Sequence, residues 1–180
     1  MKVSVAHFIR LAFLLQALAL TSCISEEESG YGSKLKAGDM LPAFSVRLDG
    51  GEVFDSSKQA GKVSVIVFFN TLCPDCRQEL PEVNRLYQDY GDDERVSFAC
   101  LGRDETDESI CAYWEEHGLS MPYHADEGRK VYGLFAESTV PLIYISDGNL
   151  VIRYVYTDSP LASYDEMKEA VASLLDIVPD

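Results

Sequence analysis

Residues 62–70, KVSVIVFFN, form a nearly unbroken apolar run rich in β-branched and aromatic side chains. This run limits the fold more than any other segment. A strand with one wet face alternates apolar and polar residues, whereas a continuous run of this length marks a strand covered on both faces. The chain must therefore build a sheet with layers packed on each side. The residues that follow switch period. From Pro74 the apolar positions Leu80, Val83, Leu86 and Tyr87 recur three and four apart, Pro74 suits a first helical turn, and Gly91 supplies a stop, so a helix is expected over 74–90. Pro81 should kink it.

The rest of the chain repeats the alternation. A second buried strand is expected over 96–101, a helix over 106–117 stopped by Gly118, and a short helix over 127–135. Runs at 141–146 and 150–156 flank Asp147-Gly148-Asn149 and read as a closing hairpin, and 44–48 with 53–54 flank Asp49-Gly50-Gly51 and read as an opening one. Ser163 and Glu166 have the spacing of a capping box for a last helix running to about 178. Strands alternating with helices define an α/β protein. With 180 residues, 47% of them hydrophobic, the chain is expected to bury one core.

The N-terminus has a different composition. Lys2 and Arg10 are the only charged residues before a ten-residue apolar core at 11–20, LAFLLQALAL, which is too short to span a bilayer and has the length of a signal-peptide core. It ends in Leu20-Thr21-Ser22-Cys23, which resembles the lipobox of bacterial lipoproteins. Residues 1–22 are thus expected to be a lipoprotein signal peptide and Cys23 the lipidated residue, attaching the protein to a membrane. A buried helix that happens to end on a cysteine is the competing reading. Residues 23–34 are rich in Ser, Gly and Glu and are expected to be a flexible tether to a domain at 35–180. The Ser25-Glu26-Glu27-Glu28 run is similar to the acidic export tag of surface lipoproteins in some Gram-negative lineages, or is a solvated linker. The expected place is the cell envelope of a Gram-negative bacterium, on the periplasmic side or the surface. A net charge of −15, from 15 Lys and Arg against 30 Asp and Glu, repels phosphate backbones, so nucleic acid is not an expected partner.

Between the apolar strand and the helix lies Cys73-Pro74-Asp75-Cys76. A helix N-terminus offers free N–H groups and a partial positive charge, which favour a thiolate, and two cysteines three apart there can close a disulfide reversibly. The placement leaves Cys73 exposed and Cys76 one turn inside. Half a zinc site is the alternative. It needs two more ligands, and the only histidines beyond residue 22, His117 and His124, share no helix face. No metal and no cofactor are expected.

The stretch VIVFFNTLCPDCRQELP at 65–81 resembles the active-site segment of the TlpA-like, or ResA-like, extracytoplasmic thiol-disulfide oxidoreductases, and GDMLPAF at 38–44 is similar to the family's opening segment. The resemblance covers roughly residues 36–178. It implies a thioredoxin-like fold with a central mixed β-sheet flanked by helices, an added N-terminal β-hairpin and an inserted helix. It also implies dithiol-disulfide exchange at Cys73 and Cys76 with disulfide-bearing protein substrates and an upstream thiol protein that donates the electrons; reduction of the substrate is the expected direction because Asp75 and the acidic chain oppose extra negative charge at the cysteines. Thr139-Val140-Pro141 matches the loop that holds a cis-proline opposite the cysteines, so Pro141 is expected in the catalytic set and Pro74, Thr139 and Val140 in substrate binding. An ordinary proline opening a strand is the alternative. Glu79 matches an active-site carboxylate able to exchange a proton with Cys76, or else is an exposed helix residue.

Two positions depart from the family. Leu72 stands where a tryptophan is usual before the first cysteine, and Leu142 where a threonine often follows the proline. Cys100 and Cys111 fall in apolar patterns and are expected to be buried thiols, with a second disulfide as the alternative. A peroxiredoxin-like thiol peroxidase is the rival enzyme, but its Pro-x-x-x-Thr/Ser-x-x-Cys motif is absent, since Ile66 and Asn70 occupy those positions. A redox-responsive or metal-binding lipoprotein without turnover is the rival outside enzymes.

Overall fold

The computed structural model describes residues 32–176, so the expected signal peptide, Cys23 and the acidic run lie outside it. The apolar run forms β3 (Val63–Phe69), all seven residues of which are buried. It lies at the centre of a five-stranded sheet of order β5-β4-β3-β6-β7. Its neighbours are β4 (Val96–Arg103), parallel, and β6 (Leu142–Ser146), antiparallel. The outer strands are β5 (Tyr123–Asp126), parallel to β4, and β7 (Ile152–Tyr156), antiparallel to β6. Successive residues of a strand face opposite ways, and Phe68 and Phe69 show why the run had to be apolar throughout. Phe68 meets Tyr132, Phe135 and Tyr144, while Phe69 packs against Trp114.

The helix expected over 74–90 is α1 (Pro74–Tyr90), with Pro74 in the first turn and the Gly91 N–H donating to the Tyr87 carbonyl. It is one element across Pro81, which cannot donate to the carbonyl four residues back. Its buried side chains include Cys76, Glu79, Leu80, Val83 and Leu86. The helix α2 (Asp107–His117) begins where Thr106 accepts from the Ser109 N–H and ends on Gly118 at φ 63, a left-handed stop that glycine adopts without steric cost. The last helix, α4 (Tyr164–Leu175), opens with the reciprocal Ser163–Glu166 capping box and packs against α1. Strands β1 (Ser45–Arg47) and β2 (Val53–Asp55) make a separate antiparallel hairpin, whose Phe54 stacks on Phe44.

Some expectations are corrected. The helix expected over 127–135 shrinks to α3 (Tyr132–Phe135). The buried Asp126 carboxylate accepts from the N–H groups of Val131 and Tyr132, and Gly128 and Arg129 take positive φ, so residues 127–131 turn instead of coiling. Strand β5 is not among the expected elements: YHAD alternates apolar and polar residues over four positions only, the shortest run that marks a strand, and its pairing with β4 supplies the reason. Gly32, Ser33 and Lys34, assigned to the tether by composition, are hydrogen-bonded to the domain. The Lys34 N–H donates to Phe135, the Gly32 carbonyl accepts from Glu137, and the Ser33 and Tyr144 hydroxyls meet at 2.7 Å.

Candidate active site

Strand β3 ends at Phe69, and residues 70–73 bridge it to α1. The bridge is tied at nearly every residue. Asn70 closes a small turn through its side chain, which accepts from the Leu72 N–H, while its carbonyl accepts from Cys73. The buried Glu105 carboxylate, from the loop between β4 and α2, accepts from both the backbone N–H and the hydroxyl of Thr71. Arg77, one turn into α1, donates to the Thr71 carbonyl at 2.6 Å. These bonds fix where the helix begins and so where the first sulfur stands.

Cys73 is the N-cap of α1, half-buried, and Cys76 is 0% exposed. Both are free thiols. The Val140-Pro141 bond is cis, and the Cys73 thiol donates to the Val140 carbonyl at 3.6 Å, so the proline loop faces the first cysteine across the site. Thr139 is committed within the protein. Its hydroxyl donates to Asp158 and its carbonyl accepts from Tyr132. Pro74 is exposed, and Leu72, 77% exposed, precedes Cys73 as a bare apolar side chain.

The buried sulfur has a different environment. Burial pushes the Cys76 thiol well above the ordinary thiol range, which the Asn70 N–H, donating to Sγ at 3.4 Å, only partly offsets. One turn further along α1, Glu79 is 2% exposed. Its Oε1 accepts from the Ala162 N–H at 3.0 Å, and its Oε2 has no partner within the protein. Burial accordingly raises its carboxyl to about 7. The exposed-helix alternative for Glu79 does not hold.

Cys100 is fully buried, as expected, but Cys111 is exposed. The buried face of α2 is Ile110, Tyr113 and Trp114, and Cys111 turns away from it to place its sulfur 3.8 Å from Glu115. Both are free thiols, so the second disulfide is absent. Sequence reasoning missed Thr71, Arg77, Arg103 and Glu105, and also a second cis bond at Ser159-Pro160, in the loop that brings Ala162 to Glu79. Only the position of Thr71 between strand and motif hinted at its part; nothing local marked the others.

A dithiol on the first turn of a helix after the central strand, faced by a cis-proline loop, defines a thioredoxin-like protein. The comparisons agree. Residues 36–163 match the Redoxin family. The thiol-disulfide oxidoreductase ResA of Bacillus thuringiensis (strain Al Hakam) is 29% identical over 124 residues, which cover 68% of this chain and 71% of the relative. A solution structure from Bacteroides thetaiotaomicron superimposes with a TM-score of 0.73 at 22% identity, covering 83% of this chain and 94% of its own. A thiol:disulfide interchange protein of the thioredoxin family from Chlorobium tepidum TLS does so with 0.65 at 20% identity, covering 78% and 98%. The chain belongs to the Redoxin family.

Proposed function

We propose that this chain is a thiol-disulfide oxidoreductase that reduces the disulfides of extracytoplasmic proteins through Cys73 and Cys76. The observation that carries the reading is the asymmetry of the pair. Cys73 caps α1 half-exposed against the Val140 carbonyl, and Cys76 lies fully buried one turn behind it. The Cys73 thiolate attacks one sulfur of a substrate disulfide, forming a mixed disulfide and releasing the other sulfur as a thiolate. Cys76 then gives up its proton and attacks Cys73, closing the Cys73–Cys76 disulfide and releasing the second substrate sulfur. Two electrons and two protons pass to the substrate, and an upstream thiol protein restores the dithiol. Burial makes Cys76 reluctant to ionise, so the step needs an acceptor for its proton. Glu79, a turn away on the same helix and raised to about 7, is suited to take it. Pro74, Val140 and Pro141 border the attacked sulfur and receive the substrate chain, with Leu72 adding an apolar contact; Thr139 holds the loop.

The direction of flow follows from charge. A strong oxidant needs its dithiol form unusually stabilised, yet Asp75 stands between the cysteines in a chain of net charge −15. The couple is therefore expected near the thioredoxin value of about −270 mV rather than near −120 mV. Equilibration of the folded protein with dithiothreitol buffers, followed by thiol alkylation, measures it, and reduction of insulin disulfides tests turnover. A potential at the oxidising end, with rapid oxidation of reduced unfolded proteins, would overturn the direction.

The lipobox-like Leu20-Thr21-Ser22-Cys23 supports a lipid anchor on Cys23, holding the domain in the envelope of a Gram-negative bacterium. Cys23→Ser is expected to abolish acyl labelling and release the protein to the soluble fraction. Labelling that persists in the variant would remove Cys23 from that role.

A further inference from the structure

Arg103, at the end of β4, touches both halves of the site. Its carbonyl accepts from the Asn70 side chain at 3.2 Å, and the Asn70 backbone N–H in turn donates to the Cys76 sulfur. Its guanidinium donates to the Ser138 carbonyl at 2.7 Å, on the loop whose Val140 carbonyl meets Cys73. The same guanidinium lies 5.4 Å from the centre of the Tyr132 ring, and Tyr132 donates to Thr139 in that loop. Its Nε is buried with no partner within the protein. Arg103 is half-buried, and a donor enclosed and left unspent is costly unless it acts on something.

We infer that Arg103 is a positioning residue for the second step of exchange: it holds the proline loop over Cys73 and sets a positive charge where negative charge develops on Cys76. The inference rests on the reading of Cys73 as attacking and Cys76 as resolving thiol. In the resolving step the Cys76 proton passes to Glu79, the Cys76–Cys73 bond forms, the Cys73–substrate bond breaks and the substrate sulfur departs as a thiolate. The negative charge passes from one sulfur to the other within the pocket, and a fixed cation lowers its energy without reorganising. The direction of the Arg103 effect on Cys76 agrees, since it favours the thiolate against the larger opposing effect of burial.

Stopped-flow reaction of the reduced protein with 5,5′-dithiobis(2-nitrobenzoate) separates the steps. Attack by Cys73 releases one aromatic thiolate, and closure by Cys76 releases a second. Arg103→Gln is expected to slow the second release about five- to tenfold while changing the first by less than about twofold. Arg103→Lys, which keeps the charge and loses the fork, should recover most of the second rate. Arg103→Met keeps an unbranched apolar stem without the charge and replaces the glutamine variant if that one does not fold. An unchanged second release in the charge-removing variant overturns the inference. So does equal slowing of both releases by lysine and by the neutral residue, which assigns Arg103 to the architecture of the loop alone. A wild-type protein that releases a single equivalent instead contradicts the dithiol reading itself.

Discussion

Cys73→Ser is expected to lower disulfide reduction by at least about a thousandfold and to form no covalent adducts, whereas Cys76→Ser should be captured as mixed disulfides that persist. The difference follows from where the two sulfurs stand. Cys73 is half-buried at a helix start with open surface at Leu72 and Pro74 beside it, so a substrate disulfide can reach it. Cys76 is sealed and reaches only Cys73 and the Asn70 N–H, so it can resolve an adduct but cannot begin one. Non-reducing electrophoresis of the two variants after reaction with a disulfide-bonded protein reads the outcome directly. Adducts on Cys73→Ser, or full activity in both variants, would move the chemistry elsewhere.

Glu79→Gln is expected to stabilise the protein at pH 8 and to cost it slightly below about pH 4. The sign comes from linkage. The folded carboxyl is raised from the ordinary 4.5 to about 7, so the folded state holds this proton more tightly than the unfolded chain does. Below 4.5 both states are protonated and the residue costs nothing. As pH rises from 4.5 through 7, the unfolded chain ionises first and the folded protein loses up to about 3 kcal/mol, an upper bound. Glutamine removes that loss while its oxygen still accepts from Ala162, less the cost of an amide whose NH₂ inherits the unpartnered place of Oε2. A net gain of up to roughly 2 kcal/mol at pH 8, giving way in acid to a loss of about 1 kcal/mol from the unpartnered amide, is the expected result of urea titrations at several pH values. The same variant should erase an inflection near pH 7 from the rate of the resolving step, because the group that accepts the Cys76 proton no longer titrates. A stabilised variant with an unaltered pH–rate profile would leave Glu79 as a buried acid with no part in the chemistry.

Keeping such an acid at neutral pH is a standing cost to stability, of the kind that functional sites carry. Around it the architecture is otherwise consistent: the strand, the helix, the caps and the layers all favour the same fold.

The chain's own order determined the parts that depend on neighbours in sequence. A strand buried on both faces had to be apolar throughout, and 62–70 announced β3 and its central place. Helix α1 was bounded by Pro74 and Gly91, α2 by Thr106 and Gly118, and α4 by Ser163 with Glu166, because caps act over three or four residues. The dithiol could be placed at a helix start for the same reason. Tertiary structure alone decided what depends on distant partners. YHAD became a strand because β4 offered its edge, and residues 127–131 became a turn because Asp126 captured the N–H groups of Val131 and Tyr132. Cys111 faced solvent because Ile110 and Trp114 had already taken the buried side of α2. Glu79 became a buried acid only when Ala162, 83 residues on, closed over it, and Arg103 and Glu105 joined the site because β4 lies beside β3. Burial and long-range hydrogen bonds are properties of the folded chain, and no local pattern of residue types carries them.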